Sequence, residues 1–430
     1  MDMQMIVALT IFIVSYIFIA TEKINKIVVA LAGAVLMILL GFIDQKAAFS
    51  EFIDWNVIFL LIGMMIMVGV VKRTGIFEYI AVLVAKKAKG DPKKIMLILF
   101  VVTAFFSSFL DNVTTIVVLI PISILIAVEL KISPIPFVIS QTIAGMIGGA
   151  STLIGDPSNL MIGSAAGKSF TDFLQHITLF IAFLVVVSSG VIYLFFRKQL
   201  VVSNERRARI MEFDEKPLIT DKSLLIYGGF VFVIFLGMLI FQEKLGLHAA
   251  TIALFSAVLL LFRAKSINIE HFINNDIDWN TILFFCGLFT MVGALERTGV
   301  IALVSDNIVE LTHGNIKLTS ISLLWTTGIA AAFLDNVPFA AATIPVVHNI
   351  TDSLVDGQCD PIWWSFVLGA CLGGTGTLIG CTANIVAVGI SKKSGYPVSF
   401  WTFTKYGAVI TLINLTLATG FILLRYFYFV

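Results

Sequence analysis

Two short polar stretches interrupt an otherwise apolar chain: Phe109-Leu110-Asp111-Asn112-Val113-Thr114-Thr115 and Phe333-Leu334-Asp335-Asn336-Val337-Pro338-Phe339. Each sets a carboxylate beside a carboxamide, oxygens that suit a bound cation or a proton. An acid inside hydrocarbon is costly unless it is paired, hydrated or part of an ion path, so an intramembrane Asp marks a functional site by default. Asp and Asn are also favoured helix N-caps, and a cap alone accounts for either residue. The two roles coexist where a broken helix faces protein or a water-filled cavity.

Two glycine-rich breaks accompany these tips, Gly148-Gly149-Ala150-Ser151-Thr152-Leu153-Ile154-Gly155-Asp156-Pro157-Ser158-Asn159 and the stretch from Gly373-Gly374 to Asn384. Unwound backbone there offers carbonyls and amides to a ligand. The halves are unequal, because Asp156-Pro157-Ser158 stands where the second break has Cys381-Thr382-Ala383, and Thr114-Thr115 where the second tip has Pro338-Phe339. The first half thus holds one more acid and more hydroxyls. The expected coupling-ion site lies between Asp111, Asn112, Thr114 and Thr115 of the tip and Ser151, Thr152, Asp156 and Asn159 of the break. The solute is expected toward Asp335, Asn336, Thr377, Thr382 and Asn384. Asp156 reads equally well as the cap of the helix after Pro157. No basic residue stands near either tip, so a multiply charged anion would lack a strong partner.

Apolar runs of the roughly 20 residues that span a bilayer begin at Met5 to Ala20, Ile24 to Phe42 and Trp55 to Val71. Thr74 to Ala88 sets Ile76, Phe77, Ile80, Leu83 and Val84 against Lys86 and Lys87, as in an interfacial helix. Ile95 to Leu130 has two apolar limbs about Asp111-Asn112 and no polar loop, which predicts a re-entrant hairpin with its tip at mid-membrane. The broken helix, Pro136 to Gly167, and a span from Leu174 to Phe196 complete the half. The second half repeats the pattern with spans at Leu224 to Phe241, Ala249 to Phe262 and Trp279 to Leu295, then an interfacial piece at Val300 to Leu311. A hairpin from Leu318 to Leu354, a broken helix from Ile362 to Ile390 and a span from Tyr406 to Arg425 follow.

Polar residues keep step across the repeat. Asp54-Trp55-Asn56, Arg73-Thr74-Gly75, Asp111-Asn112 and Pro121 return as Asp278-Trp279-Asn280, Arg297-Thr298-Gly299, Asp335-Asn336 and Pro345, all at an offset of 224. With one inserted residue, Thr152-Leu153-Ile154-Gly155 and Asn159 return as Thr377-Leu378-Ile379-Gly380 and Asn384. The expected fold is an all-α polytopic membrane protein of two repeats, residues 1–198 and 223–430, with a cytoplasmic linker at 199–222 that holds Arg206, Arg207 and Arg209. With five spans per half, about 22 of the Lys and Arg fall on one side, which is then cytoplasmic. Both termini are outside, the second repeat enters inverted, and paired broken helices of this kind point to a secondary transporter.

Composition excludes a soluble globule: 59% of the 430 residues are hydrophobic and 13% charged, with a mean hydropathy of +1.01. A net charge of +1 argues for no nucleic-acid partner. The first apolar run opens with Asp2 and lacks a basic flank or cleavage site, so it reads as a retained span. Cys286, Cys359, Cys371 and Cys381 show no CxxC spacing and suggest neither a disulfide framework nor a metal site. An intramembrane aspartyl protease would need glycine where Leu153 stands before Ile154-Gly155-Asp156, and Glu270-His271 lacks the second histidine of a zinc protease.

At the tips and breaks, the lines FLDNVTTIVVLIP, GGASTLIGDPSN, FLDNVPFAAATIP and ACLGGTGTLIGCTANIVAVGISKKSGYPVSF resemble the ion transporter superfamily, in the branch of the melanosomal P protein, the ArsB arsenite exporters and the NhaD antiporters. The resemblance runs over nearly the whole chain. It implies a mobile transport domain beside a scaffold, in a homodimer, with the tips in the place of the Ser-Asn-Thr tips of the dicarboxylate branch. Here Asp replaces that Ser, which favours a cation or proton. The functional expectation is a secondary active transporter, not an enzyme, in the cytoplasmic membrane. It would move a small inorganic solute such as arsenite, antimonite or sodium, with no cofactor beyond bound Na+ or H+. A Na+/H+ antiporter and an uncoupled channel of the P-protein type remain open alternatives.

Overall fold

The computed structural model describes residues 2–21, 23–212, 216–264, 267–354 and 359–428; residues 213–215 of the linker and the Arg209 side chain lie outside them. The described residues form helices and no strands. The main helices of the first half are α1 (Met3–Thr21), α2 (Lys26–Leu39), α3 (Trp55–Lys72), α4 (Ile76–Lys87), α5 (Pro92–Ser107), α6 (Asn112–Glu129), α7 (Ile135–Gly149), α8 (Pro157–Ala165) and α9 (Leu179–Phe196). Those of the second half are α10 (Lys222–Ile240), α11 (Ala249–Arg263), α12 (Trp279–Arg297), α13 (Val300–Thr312), α14 (Ile316–Phe333), α15 (Asn336–Ser353), α16 (Asp360–Gly373), α17 (Thr382–Lys393) and α18 (Phe400–Leu423).

The repeated polar residues have local reasons. Asp54 caps α3 by accepting from the Asn56 and Val57 amides, and Asp278 caps α12 by accepting from the Thr281 amide. Gly75 and Gly299 follow α3 and α12 at φ +76° and +81°, a left-handed turn that a Cβ would strain. The chain breaks where the hairpins and broken helices were expected, at residues 108–111 and 150–156 and at 334–335 and 374–381. By length and composition, 7 helices among the described residues are able to cross a membrane, and α2, α7, α11 and the Met3–Ile19 part of α1 are apolar but shorter. The linker carries a short helix, Asn204–Met211, and is tied to the first half by Thr220, whose amide and hydroxyl donate to the carbonyls of Thr74 and Arg73.

The halves are intertwined. In each, the first hairpin limb packs on the helix that precedes the break, α5 on α7 and α14 on α16. Other packing crosses between halves: α2 lies on α12 and α11 on α3, while α8 lies against α15 and α17 against α6. Small residues set these distances, as interhelical contact in lipid requires. A Cβ on Gly63 would stand 2.8 Å from the Ala253 backbone, and one on Gly287 2.8 Å from the Ala30 backbone. Reciprocal ion pairs close the exchange. Arg73 at the end of α3 meets Asp276 at 2.5 Å, and Arg297 at the end of α12 meets Asp44 at 2.6 Å and Glu51 at 3.0 Å. These pairs are partly exposed and each contributes about 0–1 kcal/mol, so buried helix contact carries most of the stability.

The hairpin limbs approach their partner helices closely, α7 on α5 and α16 on α14. A Cβ on Gly148 would lie 2.1 Å from the Ala104 carbonyl oxygen, and one on Gly373 2.3 Å from that of Gly328. Gly148→Ala and Gly373→Ala are each expected to destabilise the protein by about 1–3 kcal/mol, seen as a lower thermal midpoint in detergent. Gly237→Ala, with open space at its Cβ, should leave the midpoint unchanged or raise it slightly.

Candidate functional site

Each tip is a helix N-terminus inside the protein. Asp111 caps α6, accepting from the Thr114 amide at 2.9 Å; Asp335 caps α15, accepting from the Val337 amide at 3.4 Å. Asp156 caps α8, accepting from the Ser158 amide at 2.8 Å and its hydroxyl at 2.5 Å. The capping reading therefore holds for all three acids, and it does not exhaust their contacts.

Asp156 is buried, 1% exposed, and joins the two tips. Its Oδ2 accepts from Asn112 Nδ2 at 2.6 Å, and both oxygens accept from Asn336 Nδ2 at 3.3 Å. Among the described residues no basic side chain forms an ion pair with it. Asn112 completes its set by accepting from the Ser107 hydroxyl at 2.6 Å. An acid of the first break thus bridges the first tip to the second across 180 residues of sequence.

Other expected site residues hold the breaks in shape. Asn159 Nδ2 donates to the carbonyls of Gly149 at 3.1 Å and Thr152 at 2.9 Å, and Asn384 Nδ2 to those of Gly374 and Thr377, both at 2.9 Å. Thr152 and Thr377 donate to the carbonyls of Ser108 and Ala332, each tying a break to its own hairpin. Ser151 donates to the Gly148 carbonyl at 2.6 Å. The symmetry ends at the amide oxygens. Asn159 Oδ1 accepts from the Cys371 thiol at 2.9 Å, whereas Asn336 Oδ1 and Asn384 Oδ1 are buried without a partner, as is Thr115 Oγ1. Unpartnered buried oxygens of this kind have the chemistry to ligate a hard cation.

A cavity of about 280 Å³ reaches this network. Of the residues expected from sequence, Asp111, Asn112, Asp156, Asp335 and Thr382 line it, beside Cys381, Asp278, Asn280, Thr281, Phe284 and Lys26. Thr114, Thr115, Ser151, Thr152, Asn159, Asn336, Thr377 and Asn384 do not line it. Thr382 donates to Asp335 Oδ2 at 2.5 Å and accepts from Lys26 Nζ at 3.2 Å. The expectation that no basic residue serves the tips is thereby corrected: Lys26 stands 309 positions before Asp335 in the chain and is delivered by the packing of α2 on α12. No spacing marks it, whereas Asp278 carried a signal in the repeated Asp-Trp-Asn.

The profile of the citrate transporter family, CitMHS, matches residues 16–369. The chain is 39% identical to an uncharacterized transporter of Mycobacterium tuberculosis over 98% of this chain and 99% of that one. It is 38% identical to a 46 kDa membrane protein of Mycobacterium leprae, at 98% and 99% coverage, and 27% identical to the P protein of Sus scrofa, over 99% of this chain and 60% of that longer protein. The fold is similar to the crystal structure of the Alcanivorax borkumensis YdaH transporter, with a TM-score of 0.59, 12% identity, and coverage of 90% of this chain and 87% of that one. A helical membrane chain whose two tips converge on a buried carboxylate, and which matches this profile over most of its length, is a membrane transporter of the citrate transporter (CitMHS) family.

Proposed function

We propose that the protein is a secondary active transporter that couples a proton or sodium gradient to the movement of a small inorganic solute across the cytoplasmic membrane. The observation that carries this reading is Asp156, a buried carboxylate that touches both tips and has no basic partner among the described residues. A carboxylate at membrane depth calls for a proton or a cation. Here, binding either one alters the hydrogen bonds that hold tip to tip, which links occupancy to the arrangement of the halves. The coupling ion binds between Asp111, Asn112 and Asp156. The unpartnered oxygens of Asn336 and Asn384 extend the polar site into the second half.

The cavity wall favours cations and neutral hydroxides. Asp111, Asp156, Asp278 and Asp335 face it with Lys26 as the basic residue of the lining, so free citrate would bring its carboxylates against an acidic wall. Arsenite as a neutral hydroxide, or sodium, meets amides, hydroxyls and acids without that penalty. Asp278 and Asn280, exposed at the rim, lie on the side that the Lys and Arg bias makes cytoplasmic, which supports a cytoplasm-open state of an alternating-access cycle.

Proteoliposomes under an imposed proton or sodium gradient, loaded in turn with arsenite, antimonite, sodium and citrate, test the reading. Uphill movement of an inorganic solute is expected. Uphill citrate alone would reassign the solute, and flux that follows voltage without accumulation would make the protein a channel. In the same assay Asp111→Asn should abolish coupling more completely than Asp335→Asn; equal, mild losses would reduce both acids to caps.

Asp156→Ala should both abolish coupled transport and destabilise the protein. It leaves the Asn112 and Asn336 amides unsatisfied at about 1–3 kcal/mol each, read as a fall in the detergent thermal midpoint. Wild-type transport by Asp156→Ala would remove this carboxylate from the mechanism.

A further inference from the structure

Lys26 begins α2, an element that packs on α12 and belongs to neither tip nor break. Its ammonium lies 3.2 Å from Thr382 Oγ1 and 5.3 Å from the centroid of the Phe284 ring. The Thr382 hydroxyl has one proton and gives it to Asp335 Oδ2 at 2.5 Å, so toward Lys26 it accepts. The ammonium is therefore one hydroxyl away from the Asp335 carboxylate, with N–H donors in excess of the hydrogen bond it makes. The other charged groups of the cavity wall, Asp111, Asp156 and Asp278, are all acidic.

We infer that Lys26 is a tethered competitor for a transported cation at Asp335. With no cation bound, the ammonium and Thr382 balance the Asp335 charge. An arriving cation takes that carboxylate and meets the repulsion of an ammonium fixed a few ångströms away, so Lys26 lowers cation affinity and favours release. The phenyl face of Phe284, negative at its centre, holds the ammonium beside the site when it is displaced. Lys26 sits on α2 while Thr382 and Asp335 belong to break and tip, so the contact ties α2 to the tip and break of the second half. This inference rests on the cation-coupled reading above.

The test uses the full-length protein in proteoliposomes, with sodium as the transported cation and an imposed proton gradient as the driving force. Half-saturating concentration and maximal rate are measured for wild type, K26Q, K26M and K26R. The expected result is a half-saturating cation concentration about tenfold lower in K26Q and K26M, a lower maximal rate because release is slowed, and a wild-type half-saturating value in K26R. Sodium-dependent thermal stabilisation in detergent, against choline, reads the same affinity gain without transport and shows whether each variant is folded. If wild type shows cation-dependent flux and the neutral variants keep its half-saturating value, the inference fails alone. A loss of citrate affinity in K26Q and K26M with cation affinity unchanged makes Lys26 an anion anchor and overturns it as well. Wild type without cation-dependent flux overturns this inference together with the reading beneath it.

Discussion

One carboxylate, Asp156, holds the centre of this molecule. Amides of both hairpin tips, Asn112 and Asn336, donate to its two oxygens, and its own helix is capped through Ser158. In a low-dielectric interior, such bonds are strong and their loss is costly, so the tips cannot separate or rearrange without a change at this residue. Other polar groups of the region shape a break, as Asn159 and Asn384 do, or line the approach, as Asp111, Asp335 and Thr382 do.

The centre exists because the halves exchange helices. Asn112 reaches Asp156 within its own repeat, but Asn336 of the second tip could not if each repeat folded on itself. The crossing of α8 onto α15 and of α17 onto α6 brings each post-break helix beside the other half's tip. Glycines allow the close contacts on which this depends, with Gly63 and Gly287 in the cross-half helix pairs and Gly148 and Gly373 within the hairpin supports. The exposed arginine pairs at the ends of α3 and α12 repeat the exchange in ionic form and add little energy to it.

Near-symmetry makes the departures informative. The two Asn side chains that knit the breaks, Asn159 and Asn384, make matching bonds to backbone carbonyls. Yet Cys381 replaces the acid at Asp156, and Cys371 supplies a thiol donor to Asn159 while Asn384 Oδ1 has no partner. The first half therefore carries the acid of the break, and the second the unpartnered oxygens of Asn336 and Asn384.

The sequence alone determined the class of protein, since its apolar runs admit only membrane helices. The offset of 224 that relates the polar residues also marked the repeat and the tips at Asp111-Asn112 and Asp335-Asn336, and, with one inserted residue, the glycine breaks. These features are local: capping, helix breaking and hydropathy act over a few residues and leave their mark in spacing. The tertiary structure decided what meets what. That Asp156 serves the second tip as well as the first, that Cys371 reaches Asn159, and that Lys26 stands beside Thr382 all depend on chain crossings of 180 residues or more. Such contacts leave no periodic trace, because they follow from how whole helices pack, and the single residue that arrives at the site looks in sequence like any lysine at the start of a helix.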